Sequence, residues 1–282
     1  MPTIKVHGAR LWYELVGSGD IVVQIHGAGF GHQNFGPVTP LMAQRYQVLD
    51  FDLRGYGESD RPDQKYSMKV WSDDIAAMMD ALGIAKAHIH GTSMGSMVAQ
   101  QFAIDHGDKV NSLILTCGAC KMDYAGWLTF EVWIQILEKI GIEDPTLAML
   151  LAVEGFSRDF LDGPEGEATV ENIRRTSATA CSARTFAAAC RAMQEIDFVA
   201  DLPNIKAPAL VMTGELDQMT PVDYGPKGGG SRRIAKLIPN AQLVLLPGAG
   251  HTHLFQQPRE TVEVIFGFLD RLPSGQTSRH GD

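Results

Sequence analysis

A serine held between two glycines, Gly91-Thr92-Ser93-Met94-Gly95, follows a short apolar run and opens a stretch with helical spacing. In that setting the implied chemistry is nucleophilic attack. A strand that turns sharply into a helix leaves no room for side chains at the flanking positions and pushes the serine hydroxyl outward. The pattern alone is short enough to arise by chance, so its flanks decide: residues 87–90 read as the strand and 94–106 as the helix. Two other groups invite chemistry and are set aside. Cys117 and Cys120 form a lone C-x-x-C after an apolar strand, with no second ligand pair, and read as buried thiols packing as small hydrophobes. With Cys181 and Cys190 they make four cysteines, which is not a disulfide framework in a chain of 282 residues. Gly228-Gly229-Gly230 lacks the spacing of a phosphate-binding loop and reads as a flexible connection.

The elements that must position Ser93 alternate in type. Residues 4–7 and 11–16 read as short strands joined at Gly8-Ala9, 21–25 as a buried apolar strand, and 46–51 as the next. Ser67 caps a predicted helix running to about 82, and 110–116 is again an apolar strand. Late in the chain, 209–213 and 243–246 read as strands, 232–237 as part of a helix, and 259–272 as a closing amphipathic helix. Near-continuous apolar strands separated by helices belong to a parallel sheet covered on both faces.

The interval 121–204 breaks that rhythm, with helical stretches at 127–140, 145–153 and 167–194 and no clear Val/Ile strand. It reads as a helical cap inserted over the carboxyl edge of the sheet, where open α/β sheets hold their sites. The expected organisation is a core of 1–120 and 205–272, a cap of 121–204, and a polar tail of 273–282 that frays.

A net charge of -9 argues against nucleic acid or an anionic membrane as partner, since either would repel the chain. The first residues lack the basic-then-apolar build of a secretion signal, and no apolar run reaches the roughly 18–20 residues of a membrane helix. The expected location is cytoplasmic. Oligomeric state is open, with a homodimer among the options.

Taken in order, the motifs resemble those of the α/β-hydrolase fold superfamily over about residues 3–272. They are His26-Gly27-Ala28-Gly29 after the third strand and Asp52-x-Arg54-Gly55-x-Gly57-x-Ser59 after the fourth. The serine turn follows, then Gly214-Glu215-Leu216-Asp217 and Gly248-Ala249-Gly250-His251 after the last two strands. The resemblance implies a mostly parallel eight-stranded sheet with helices on both faces and a helical cap. Within the superfamily the chain looks most like cap-bearing esterases, enol-lactonases and meta-cleavage C–C hydrolases.

The same resemblance implies roles. Ser93 is the expected nucleophile and His251 the general base, with His253 two residues on as its rival. Asp217 is expected to hold the imidazole, with Glu215 and Asp223 as neighbouring alternatives. The oxyanion donors are expected to be the backbone N–H groups of Met94 and Ala28, with Gly29 next in line and also expected to touch substrate. His26 reads as an orienting or packing histidine, and Asp52, Arg54 and Ser59 as a structural, ion-paired group. Aromatic residues of the cap, Trp127 among them, are expected partly to line an apolar pocket. Arg191, with Arg184 beside it, is a candidate for holding a substrate carboxylate.

The expected function is hydrolysis of a small carboxylic ester or lactone through an acyl-enzyme, with no metal and no cofactor. The substrate is expected to be apolar or carboxylate-bearing. The alternatives are C–C bond hydrolysis of the meta-cleavage type, which Thr252 disfavours because those enzymes often carry tryptophan after the histidine, and a non-catalytic ligand receptor on the same fold. Aspartate-nucleophile chemistry is disfavoured because the turn holds serine.

Overall fold

The apolar runs become strands of a single eight-stranded sheet in the computed structural model, which describes residues 2–272. The strands are β1 (Thr3–Val6), β2 (Ala9–Gly17), β3 (Ile21–Ile25), β4 (Gln47–Phe51), β5 (Ala87–Thr92), β6 (Val110–Thr116), β7 (Ala209–Gly214) and β8 (Ala241–Leu246). Their order is β1-β2-β4-β3-β5-β6-β7-β8. β2 runs antiparallel to both β1 and β4, and every other pairing is parallel. The mostly parallel α/β architecture is the one the motifs implied.

In chain order the helices are α1 (Thr39–Met42), α2 (Met68–Ala81), α3 (Met94–Asp105), α4 (Tyr124–Lys139), α5 (Pro145–Gly155), α6 (Arg158–Leu161), α7 (Gly166–Ala180), α8 (Ala183–Gln194), α9 (Ser231–Leu237), α10 (His253–Gln256) and α11 (Pro258–Leu269). Among the described residues none is long and apolar enough to cross a membrane. Ser67 caps α2 by accepting the Val70 N–H at 3.2 Å, as its position predicts. The helical stretch expected over 167–194 is two helices: Ser182 accepts the Thr185 N–H at 3.1 Å and caps α8 after a break at Cys181.

Adjacent strand residues point to opposite faces, and each face builds its own apolar cluster. Val23, Leu49, Ile89, Leu113 and Val211 pack with α2 and α3 on one side. Val22, Val48, Ile114, Leu210 and Met212 pack with α1 and α11 on the other. β5 and β7 are buried at every residue, which is why they read as unbroken runs rather than alternating ones.

The insertion α4–α8 lies between β6 and β7. Its Phe130, Trp133, Leu151, Phe186 and Met193 join the same cluster as Met94 and Met97 of α3, so one core runs across the expected boundaries. Gly228-Gly229-Gly230 is not the flexible link expected of it. Gly229 exchanges backbone hydrogen bonds with Lys121 and Cys120, at 2.9 and 2.8 Å, and a Cβ there would stand 2.4 Å from Cys120 Sγ. The expectation for 273–282 lies outside the described residues.

Among the tightest backbone contacts is that at Gly95, where a Cβ would stand 1.9 Å from the Ile25 carbonyl oxygen, an atom that cannot move aside. Gly95→Ala should therefore cost about 3 kcal/mol or more, while Gly107→Ala, where a Cβ meets nothing within 4 Å, should cost little. Thermal melts of the two variants check this; equal stability would contradict the packing described.

Candidate active site

Ser93 occupies the turn between β5 and α3 with φ 55° and ψ −121°, a backbone conformation that non-glycine residues rarely adopt. Strain of this kind costs on the order of 1–3 kcal/mol and survives only where neighbours over-determine it. Here the Ser93 N–H donates to the Thr116 carbonyl of β6 at 2.9 Å. Gly91 and Gly95 face each other so closely that a Cβ on Gly91 would stand 2.1 Å from the Gly95 carbonyl oxygen.

Asp217 and His251 come from the turns after β7 and β8, which are neighbouring strands in register. His251 Nδ1 stands 2.9 and 3.1 Å from the two carboxylate oxygens of Asp217. Both side chains are nearly inaccessible to solvent. The Asp217 carboxylate also accepts the Thr220 N–H at 2.9 Å and lies within reach of the Thr220 and Thr213 hydroxyls, at 2.9 and 3.1 Å. Burial alone would raise its pKa; His251 and the Thr220 donors outweigh burial and hold it below the ordinary carboxylate value. An Nδ1–H directed at a carboxylate leaves Nε2 with its lone pair free.

Thr220 and Thr213 were not singled out from sequence. The spacing of Asp217 and Thr220 was the available signal, because an aspartate accepting the N–H three residues on is a common local device. Cys117, the residue after β6, supports the same corner. Its backbone is also left-handed, φ 50°, and its carbonyl oxygen lies 2.8 Å from the Thr220 hydroxyl, sharing that one proton with Asp217.

The loop after β3 is held from two sides. His26 is fully buried, bonds the Gly27 carbonyl through Nδ1 at 2.8 Å, and accepts the Leu53 N–H at Nε2 at 3.0 Å. Asn34 accepts the Gly27 N–H at 2.8 Å. A Cβ on Gly27 would come within 3.2 Å of the Ser93 Cβ, so this loop lies against the serine. Met94 is the first residue of α3, where helical N–H groups have no partner within the helix. Ala28 lines the same cavity as Ser93.

Ser93, His251, Ala28 and Asn34 line one narrow cavity of about 50 Å³ with Trp133, Leu151, Phe156, Ile173 and Met193 of the insertion. A second space of about 120 Å³ shares Phe30, Phe156, Ile173, Thr252 and Phe255 with it and continues toward Glu165 and Asn172.

Several expected residues fall elsewhere. Trp127 lies 38% exposed, stacked on Tyr124 on the outer side of α4, and Trp133 takes the cavity position instead. Arg191 is about half exposed and ion-paired with Glu138, and Arg184 is largely exposed and paired with Asp63. Neither arginine lines the cavity. Gly29 packs under Phe186, whose ring would stand 2.5 Å from a Cβ there, and is not a lining residue. Glu215 is exposed, Asp223 is paired with Arg232, and neither meets His251. His253 is buried on α10, bonded through Nδ1 to Thr261 at 2.9 Å.

The Asp52–Arg54 pair expected from the motif is also rearranged. Arg54 forks onto Asp74 of α2 at 2.6 and 2.7 Å, while Asp52 accepts from His32. Ser59 accepts the Trp12 N–H and donates to the Asp52 carbonyl, so its structural role holds.

Donor atoms of Cys117, Asp217 and His251 lie within 4.8 Å of one another, a spacing a metal ion could bridge. The chemistry of the set works against this. Burial and the nearby Asp217 push the Cys117 thiol well above its ordinary pKa, and Asp217 and His251 are already bonded to each other.

The chain belongs to the alpha/beta hydrolase fold family, which matches residues 20–258. Among similar proteins is one of Caulobacter sp. (strain K31), proposed to be a carbamate hydrolase, RutD; it is 26% identical, and the match covers 92% of this chain and 95% of that one. A thermophilic esterase from Thermogutta terrifontis superposes with a TM-score of 0.82 at 27% identity, covering 96% of this chain and 97% of that one. The enol-lactonase from Burkholderia xenovorans LB400 shares the fold, with a TM-score of 0.84 at 24% identity and coverage of 95% and 100%.

Three buried histidines weaken this architecture in acid. Burial lowers His26 to about 4, His90 to about 3 and His253 to about 3, so each is neutral in the folded protein well below its unfolded value of 6.5. Below pH 6.5 the unfolded chain binds protons that the folded chain refuses, so stability falls as pH drops from 6.5 toward 4. Each histidine contributes up to about 1.4 kcal/mol per pH unit in that window. Asp50, raised by burial to about 7, works in the opposite direction above its unfolded value of 3.8. Denaturant melts across this range should show the fall, and His90→Asn should flatten it.

Proposed function

We propose that the protein is a serine hydrolase that cleaves a small, uncharged carboxylic ester or lactone through an acyl-enzyme. One observation carries the reading: a serine in a strained turn and a histidine braced by a buried carboxylate face the same narrow, mostly apolar cavity. In this reading Ser93 Oγ attacks the carbonyl carbon while His251 Nε2 takes its proton, and Asp217 stabilises the imidazolium that forms. The Met94 and Ala28 N–H groups receive the oxyanion. The imidazolium then protonates the leaving oxygen, and His251 directs water onto the acyl-enzyme to release the acid. In a lactone the leaving oxygen stays attached to the acyl chain.

The reading agrees with the esterase, enol-lactonase and carbamate hydrolase among the similar proteins, which are named for acting on carbonyl–heteroatom bonds. A meta-cleavage substrate is disfavoured because its carboxylate would find no lysine or arginine in the cavity wall.

Intact mass after treatment with a fluorophosphonate should show one adduct per chain, absent in Ser93→Ala, with multiple turnovers on short-chain esters. Asp217→Asn should lower kcat by about 10³–10⁴. Labelled protein that turns over no ester would favour a ligand-binding role on the same fold, and folded protein that takes no label would overturn the activated serine.

A further inference from the structure

The second space, of about 120 Å³, is walled largely by four phenylalanines, Phe30, Phe156, Phe160 and Phe255. Phe30, Phe160 and Phe255 are only half-buried. Phe156 and Phe160 stack on each other with ring centroids 4.9 Å apart, whereas no ring among the described residues packs on Phe30 or Phe255. Phe30, Phe156, Ile173, Thr252 and Phe255 border both spaces, so the second adjoins the cavity that holds Ser93. Its outer end is polar, at Glu165, Thr169 and Asn172, and carries no cation.

Size separates the two spaces. At roughly 10–15 Å³ for each water-sized group, about 50 Å³ beside Ser93 holds roughly three to five such groups, and about 120 Å³ holds roughly eight to twelve. An acetyl group with its ester oxygen fits the first, and a six-membered ring on a short linker fits the second. Thr252 gives the direction. The Gly155 carbonyl accepts both the N–H and the hydroxyl of Thr252, at 3.0 and 2.9 Å, which ties the end of α5 to the residue after His251. That clamp fixes Thr252 on the border of the two spaces, next in the chain to the histidine that protonates the leaving oxygen. The leaving arm therefore starts at this border and runs into the second space. Trp133, Leu151 and Met193 border the first space alone and close on the acyl group.

Resting on the acyl-transfer reading above, we propose that Phe30, Phe156, Phe160 and Phe255 form a subsite for an aromatic leaving alcohol, so that the substrate class is a short-chain ester of an arylalkanol. Aromatic rings attract one another in offset or edge-to-face arrangements beyond what apolar area alone supplies. Phe30 and Phe255, which no other ring engages, offer that contact to the ring of the alcohol. A saturated ring of the same size is the more apolar group, so a merely apolar wall would prefer it.

The test compares 2-phenylethyl acetate with 2-cyclohexylethyl acetate and with its isomer methyl 3-phenylpropanoate, in which the ring sits on the acyl side, with acid release followed by titration. The wild-type kcat/KM should favour 2-phenylethyl acetate by about fivefold or more over the cyclohexyl ester and by about tenfold or more over the isomer. Phe160→Leu removes a ring that borders the second space alone, and should bring the first ratio to about twofold or less. Thr169→Trp fills that space, and should lower kcat/KM about tenfold more for 2-phenylethyl acetate than for ethyl acetate. A wild type that prefers the cyclohexyl ester or treats the isomers alike, or ratios unchanged in both variants, would overturn the subsite. Fluorophosphonate labelling of Ser93 and turnover of ethyl acetate report separately on the acyl-transfer reading. If both fail, saturation-transfer NMR with 2-phenylethanol and 2-cyclohexylethanol still decides the subsite. Preferential binding of the aromatic alcohol, lost in Phe160→Leu, would uphold it, and no such preference would end it.

Discussion

At Gly95 the first turn of α3 lies against β3 so closely that a single methyl group would stand 1.9 Å from the Ile25 carbonyl oxygen. That contact brings the start of α3 and the loop after β3 to the same point, with Ser93 between them. Because the helix cannot retreat, the chain reaches it from β5 only through a left-handed Ser93. Three features follow. Ser93 faces the cavity, Met94 begins the helix, and Gly27 lies against the serine, where a Cβ would come within 3.2 Å of the Ser93 Cβ. The β5–β6 ladder resists relaxation through the bond from Ser93 N–H to Thr116. Strain costing a few kcal/mol persists because relieving it would require separating two elements of the core.

The parts of this arrangement that are legible in sequence are those set by a few consecutive residues. The glycines around Ser93, the glycine turn before His251 and the turn carrying Asp217 each announce a backbone shape locally, and the apolar strands on either side say where that shape sits. What sequence could not show depends on rotation and long-range approach. Trp127 and Trp133 lie six residues apart on α4, which places them on different faces, and only the docking of α4 on α8 decides which face meets the cavity. Arg191 follows the same logic, since its face of α8 belongs to Glu138. Arg54 chooses Asp74 over its motif neighbour Asp52 because α2 brings that carboxylate to it, twenty residues away in the chain. A glycine run such as 228–230 is ambiguous in isolation: flexibility and close packing both ask for a missing side chain.

Electrostatically the interior divides in two. On the cavity side, charge is present but matched: Asp217 is surrounded by His251 and two threonines, and its ionised form is favoured despite complete burial. On the opposite face of the sheet, His90 and His253 are kept neutral by burial among apolar neighbours, with three of their four ring nitrogens lacking a hydrogen-bond partner among the described residues. His251 and His253 are thus two residues apart and belong to different environments. The strand-and-turn geometry places the first over the sheet's edge, against the cavity, and the second beneath it, among core residues.

The clamp between Gly155 and Thr252 bears on how such a fold can be re-engineered or diversified. A roof that rests on a scaffold through apolar contacts alone can be exchanged like a module, with the machinery beneath left undisturbed. Here the roof's α5 supplies a backbone acceptor to the segment that carries the histidine, and Ser157 adds a hydroxyl to Gln256 just beyond it. A chimaera cut at the ends of the helical insertion would take these anchors away with the old roof. Successful grafts onto this scaffold must therefore bring a carbonyl to the place of Gly155, and recombination that ignores it would yield folded sheets with His251 out of place.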